Sequence, residues 1–345
     1  MQEWSLRDGF RRTRAFFGAE RQEEAYSVCE RGEYTMHSAQ VKAKAASSHG
    51  PVRANRYRRL TPYLFLIPVF ASMGLFKYYP LAAALVKSLY EWNGANIDVF
   101  VGLRNYAVLL ADGTFYISLR NMVAFTIGYA AIQLTPPLIG ALLVYHLRSN
   151  RWRRTVQAAF LLPMVVPAVI VYLLWRWMYA SDGVINKPLG GIGLEEWKHA
   201  WLGESSTALG SILFVNFPWV GGISFLLFMA GLTAIPRELY EVGILEGAGP
   251  WQRLRRLELP MLRGPLRLVL LMAVIHQVQS FENVLVLTNG GPGFSTLSPA
   301  LYLYKKSFEY NEFGYASAIG VILFAALLGF TLLLQRTMRT ADAPE

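Results

Sequence analysis

From Tyr63 onward the chain repeats one pattern, a long apolar run followed by a short polar break. The runs lie near 63–86, 121–147, 156–179, 207–231, 265–287 and 315–334. Each is close to the roughly 20 apolar residues that a helix needs to cross a bilayer. The pattern predicts an all-α, polytopic membrane protein with six transmembrane helices. Prolines inside the runs, such as Pro80, Pro163 and Pro218, fit this reading, because neighbouring helices can satisfy the backbone groups they free. Lys77 is expected to snorkel to the interface, and Trp175-Arg176-Trp177 suits an interfacial belt.

The runs also divide the chain. Residues 1–60 are polar, Arg-rich and lack an apolar stretch of signal-peptide length, so they read as a cytoplasmic, partly disordered tail. Residues 61–116 hold the first span and an extracytoplasmic loop. Residues 117–336 hold a core of five helices with a polar loop at 236–260, and residues 337–345 form a second cytoplasmic tail.

Composition agrees with a bilayer. Of 345 residues, 54% are hydrophobic and 16% charged, with a mean hydropathy of +0.30, whereas a soluble protein carries about a quarter charged residues. A net charge of +10 would suit nucleic acid, but the placement of the charge argues against it. Most of the 33 lysines and arginines fall in the first tail, in 148–154, in 237–267 and at the C-terminus. The positive-inside rule then puts both termini and both of these loops in the cytoplasm, and no nucleic acid is needed to explain the charge. A single cysteine, Cys29, excludes an internal disulfide framework and a thiolate metal cage.

The polar stretch 236–260 reads as two short helices at a hinge. Pro236 suits a helix start, and Glu238 and Glu241 sit near the positive end of the helix dipole. Gly247 can take the left-handed conformation that ends a helix. Gly249 and Pro250 can start a second helix whose Arg253, Arg255 and Arg256 lie toward its C-terminal end, with Pro260 as its stop. Leu239, Val242, Leu245, Leu254 and Leu257 give both helices an apolar side.

This stretch resembles the cytoplasmic EAA loop of ABC-importer permeases, whose pattern is roughly E-A-A-x-x-x-G-A with an I-x-L-P ending. Glu241, Gly247, Ala248, Leu259 and Pro260 match it; Val242 and Gly243 stand for the two alanines and Leu257 for the isoleucine. Phe100-Val101-Gly102-Leu103-Arg104-Asn105-Tyr106, Leu287-Thr288-Asn289-Gly290-Gly291-Pro292 and Phe313-Gly314-Tyr315-Ala316-Ser317-Ala318 are similar to segments of the sugar-type, carbohydrate-uptake permeases. The resemblance covers about 61–334 and implies a type I ABC importer permease fold. It implies coupling through Glu241, Gly247, Ala248, Gly249, Arg253 and Pro260 to two separate ABC ATPase subunits that use the ATP. It also implies an extracytoplasmic solute-binding protein docking at the outer-mouth turn Gly290, Gly291 and Pro292, unless that turn is only a turn. A single EAA-like loop calls for a second permease subunit, more readily a different chain than a copy.

The chain contains no Gly-Lys dipeptide, hence no P-loop, and its five histidines show no metal-ligand spacing. Neither catalysis nor a bound cofactor is expected of it. In the fifth run, His276, Gln279, Ser280 and Asn283 fall at i, i+3, i+4 and i+7, one helical face, with Glu282 pointing away. A polar stripe at membrane depth must face protein or water. It therefore lines a substrate pathway for a hydroxyl-rich solute or glues helices together. An ion-driven secondary transporter or channel is the alternative; it calls for charges in several spans and an inverted repeat.

Overall fold

The structure is a computed structural model that describes residues 56–215, 217 and 222–341. Its contacts separate a first unit, ending at Lys77, from a second, beginning at Tyr78. In the first unit, helix α1 (Arg56–Met73) opens inside the segment expected to be tail and passes into a π-helical turn at Gly74–Tyr78. Its side chains from Tyr63 to Phe70 are exposed. The stretch Tyr63–Lys87 is long and apolar enough to span a membrane. The rest of the first tail, with Cys29, lies outside the described residues.

The second unit opens with α2 (Tyr79–Lys87) and an antiparallel hairpin, β1 (Tyr90–Trp92) with β2 (Asp98–Phe100), in which Glu91 faces Val99. Helix α3 (Arg104–Leu110) follows. The F-V-G-L-x-N-Y segment now has a physical reason. Gly102 takes a φ of +59° that turns the chain from β2 toward α3. The Asn105 amide then donates to the carbonyls of Ser88 (2.8 Å) and Tyr90 (2.9 Å), and the Tyr106 hydroxyl donates to Ser88 Oγ (2.7 Å). The loop is thereby tied to the end of α2.

Helix α4 (Gly113–Tyr145) is the central rod. It packs against α8 (Gly222–Thr233) and α11 (Arg263–Gln279). Glycines allow close approach: a Cβ on Gly140 would meet the Phe160 ring at 2.7 Å, and one on Gly231 would meet Leu262 at 2.7 Å. One apolar cluster gathers Phe115, Phe125, Ile212, Leu297, Leu301 and Ile319; another gathers Val144, Phe225, Phe228, Leu232 and Leu262. Helices α13 (Pro299–Phe308) and α14 (Phe313–Ala341) pack on each other, and α14 also packs on α2 and α3.

Three expected spans depart from straight rods. The third is α5 (Asn150–Leu161), a 3₁₀ turn at Leu162–Val165 and α6 (Ala168–Met178), with an 89° bend. Pro163 and Pro167 lack the N–H groups an unbroken helix would need there. The fourth comprises α7 (Ala208–Phe214) and α8, and its predicted Pro218-Trp219 lies outside the described residues. The fifth ends at Gln279, and the chain restarts as α12 (Glu282–Leu287). Among the described residues three helices are long and apolar enough to cross a membrane unbent, and six segments qualify if each bent pair counts as one.

Candidate functional site

The predicted hinge forms. Helix α9 (Arg237–Leu245) leaves α8 at 65°, and α10 (Pro250–Met261) meets α11 at 61°. Gly247 has a φ of +75°, and its N–H donates to Ile244 O (3.0 Å) while the Ala248 N–H donates to Gly243 O (2.8 Å). This pair of bonds is a Schellman turn, which closes the last carbonyls of α9. Gly249 caps α10, and its N–H donates to the Gln252 side chain at 3.1 Å. The Arg253 stem lies over Gly243, where an added Cβ would meet it at an ordinary contact distance of 3.9 Å. Pro236 is the cap of α9 rather than its first helical residue.

Pro260 does not stop the second helix. The chain widens into a π-helical turn at Leu254–Glu258 and runs on to Met261. The wider turn accommodates the missing proline N–H and its ring. The first helix turns apolar side chains outward: Leu245 is 86% exposed, and Leu239, Val242 and Ile244 are exposed with it, as is Trp251 of α10, whereas Leu254 and Leu257 of α10 are half-buried. Glu241 is exposed on the same segment.

The polar residues of the fifth span do not share one helical face. Ser280 takes an extended conformation that breaks the helix, because α11 caps there and α12 begins after Phe281. The break sorts them into two groups. Asn283 is buried, and its side-chain oxygen accepts from Ser280 Oγ (3.1 Å) and Val284 N–H (2.9 Å), so these two residues stitch the break. His276, Gln279 and Glu282 are exposed. The His276 ring stacks on Tyr129 at 5.3 Å. Tyr129 begins a relay that sequence reading missed: Gln133 Nε2 donates to its hydroxyl (2.6 Å), and Ser224 Oγ donates to Gln133 Oε1 (2.9 Å). A glutamine in the middle of an apolar run was the available signal.

At the opposite end from the hinge, the L-T-x-G-G-P segment is a tight turn. Asn289 and Gly290 have φ of +52° and +88°, and Thr296 Oγ1 donates to Gly291 O at 2.7 Å. The Asn121 amide on α4 holds the turn by donating to Phe294 O (2.7 Å) and Leu297 O (3.0 Å). Gly314 lets α14 pass the hairpin, since a Cβ there would sit 2.0 Å from Tyr90 O. Asp112 caps α4 and accepts from Thr114 N–H, Phe115 N–H and the hydroxyls of Tyr302 (2.5 Å) and Tyr315 (2.6 Å). Partial burial works to raise the Asp112 pKa, but these donors outweigh it and hold the carboxyl below its ordinary value. Burial, with the Asp112 carboxylate beside it, raises the Tyr302 phenol. An open cavity of about 900 Å³ lies here, lined by Trp92, Arg104, Asp112, Tyr302 and Lys306 among others; the predicted pathway residues do not line it.

The hinge end of α4 holds a buried acid that sequence reading missed. Glu258 is 2% exposed, and its Oε1 lies 3.1 Å from His146 Nε2. Nothing in the spacing of the sequence joins these two positions.

The sequence matches the family model described as "Binding-protein-dependent transport system inner membrane component" over residues 137–339. The chain belongs to this family. It is therefore a multi-pass inner-membrane transport component, and ATP hydrolysis falls to a partner subunit. Its relatives include the probable ABC transporter permease protein YurN of Bacillus subtilis, 31% identical over 82% of this chain and 97% of that one. Another is the diacetylchitobiose uptake system permease protein NgcF of Streptomyces coelicolor, 30% identical over 87% of this chain and 89% of that one. In fold, the chain is similar to a chain of a bacterial ABC transporter involved in import of the acidic polysaccharide alginate, with a TM-score of 0.73, 21% identity, and coverage of 83% and 98%. Family membership removes the ion-driven alternative.

Proposed function

We propose that this chain is the permease subunit of an ABC importer that moves a sugar or related polyhydroxylated solute across the cytoplasmic membrane. The observation that carries the coupling half of this reading is the hinged pair α9–α10, which turns Leu239, Val242, Leu245 and Trp251 outward from the chain. A short helix locked by a Schellman turn can transmit a push without melting, and exposed leucines around Glu241 suit a cleft on another protein. Glu241, Gly247, Ala248, Gly249, Arg253 and Pro260 form this coupling surface, docked on one of two ATPases. A different permease chain completes the passage, and a solute-binding protein docks at the Gly290–Pro292 turn. Both termini lie in the cytoplasm.

The solute class rests on NgcF, named for diacetylchitobiose uptake, and on the alginate transporter. Exposed His276 and Gln279 offer the neutral donors and acceptors that hydroxyls need, while Ser280 and Asn283 hold the break that positions them. ATP binding would move the coupling pair and open the cavity outward, and hydrolysis would reset it.

The test is a cysteine placed by Ala248→Cys in a Cys29→Ser background of the assembled importer. It should cross-link to the ATPase and stay hidden from an impermeant thiol reagent in intact cells, while Phe294→Cys should be labelled from outside. Labelling of Ala248→Cys from outside would sink the reading. A binding screen of the cognate solute-binding protein against neutral and acidic oligosaccharides checks the solute class.

A further inference from the structure

Glu258 is not needed for docking, since it is buried beneath the coupling pair rather than on its outer side. Three elements meet at it. His146 caps α4, with Nδ1 2.8 Å from Leu142 O and Nε2 3.1 Å from Glu258 Oε1. Tyr145, the neighbouring residue, sets its ring 5.4 Å from His146 and 6.1 Å from Tyr240 of α9. Among the described residues no hydrogen bond of ordinary geometry reaches the buried Tyr240 hydroxyl or Glu258 Oε2, yet the two groups lie within reach of each other: burial first, and then Tyr145 and the Glu258 carboxyl beside it, raise the Tyr240 phenol. Leu257 and Tyr240 pack on the apolar cluster of Val144, Phe228, Leu232 and Leu262.

Stability does not account for this arrangement. Burying an acid side chain to 2% exposure is costly, and a well-packed apolar residue at such a place is often neutral or stabilising by comparison. What a buried polar contact supplies instead is a fixed register between the elements that carry it. Here those elements are the end of the central rod α4 and both helices of the hinge.

We propose that Glu258 is a positioning residue. With His146 and Tyr240 it clasps the coupling pair to the cytoplasmic end of α4, so that a push on α9 carries α4 with it. This rests on the coupling reading above. In that reading α9 and α10 receive the motion; the clasp names the element to which they pass it.

Pulsed electron-spin distances in the assembled importer, purified with its ATPase in a Cys29→Ser background, test the clasp. One label pair, at Leu143→Cys and Arg237→Cys, spans the clasp on exposed positions; a reference pair, at Arg237→Cys and Leu333→Cys, reports whether α9 moves. The probe is ATP with vanadate. The reference distance should shift between the nucleotide-free and trapped states while the clasp distance stays constant. Glu258→Leu and His146→Leu should each let the clasp distance shift or broaden on trapping, and Glu258→Gln, which keeps an acceptor for His146, should restore it.

A clasp distance that changes in the wild type overturns the proposal. So does one that stays constant in both leucine variants, or failure of both to assemble, which would mark the contact as a folding requirement. If Glu258→Leu alone fails to assemble, His146→Leu decides. An unmoved reference distance sinks the coupling reading and the clasp with it, whereas a moving reference with an indifferent clasp sinks the clasp alone.

Discussion

At one end of the molecule Asp112 is surrounded by donors from its own chain, two backbone N–H groups and two tyrosine hydroxyls, and Lys306 lies over the rings of Tyr302 and Tyr315. At the other end Leu245 and Trp251 are bare, and the buried Glu258 has His146 and Tyr240 beside it rather than a ring of donors. Both ends are rich in charge and aromatic groups, so composition does not distinguish them. The difference lies in how each end treats its central acid: the Asp112 cap surrounds it with four donors of its own chain, while at the hinge a more deeply buried acid meets few partners, contributed by three elements. An acid held by many donors fixes one shape, and an acid shared between elements ties them together.

That contrast can be broken at either end. The largest effect is expected from Gly247→Pro, which forbids a φ of +75° and removes the N–H that closes on Ile244 O. A misplaced proline costs about 3 kcal/mol or more. Co-purification with the ATPase should be lost while the outer end stays folded, read as unchanged thiol labelling of Phe294→Cys from outside. Retained co-purification would mean that the turn is not part of the docking surface.

Gly314→Ala should do the reverse. Its Cβ would meet Tyr90 O at 2.0 Å, and such overpacking costs about 1–3 kcal/mol. Thermal unfolding in detergent should shift downward, with ATPase association kept. Asp112→Asn should cost about 1–2 kcal/mol at pH 7 through weakened charge-assisted bonds. Because the folded carboxyl lies below its ordinary value, its stabilisation is fully present above the unfolded pKa of about 3.9 and drains as pH falls through the folded value. The gap in melting temperature between wild type and Asp112→Asn should therefore narrow below about pH 4; a gap independent of pH would show that the charge is not what holds the cap.

The smallest effects separate the polar residues of the fifth span. Asn283→Leu, at a 4% exposed position whose amide oxygen accepts two hydrogen bonds, should lower stability by about 1 kcal/mol. Gln279→Leu, at an exposed position, should stay within about 0.5 kcal/mol in the same melt. Equal losses would return all of these residues to helix glue.

The legible features were local ones. The hinge could be read because Gly247 permits the left-handed turn that ends a helix and Pro250 fixes φ at a helix start, and the outer turn because Gly290, Gly291 and Pro292 follow one another. The polar stripe was misread because a helical period was assumed across Ser280, where an extended residue resets the phase between His276 and Asn283. Pro260 was misread because a π-helical turn relieved the strain that should have stopped the helix.

By itself the sequence determined the membrane-length runs, the side of the bilayer its charges favour, the hinge and the family motifs, because each depends on transfer free energy or backbone sterics over a few adjacent residues. Only the tertiary structure decided that Asp112 meets Tyr302 and Tyr315, that Tyr129 lies under His276, and that Glu258 meets His146. These pairs are separated by long stretches of chain, and their contact depends on how α4 packs against its neighbours. No local pattern encodes that packing.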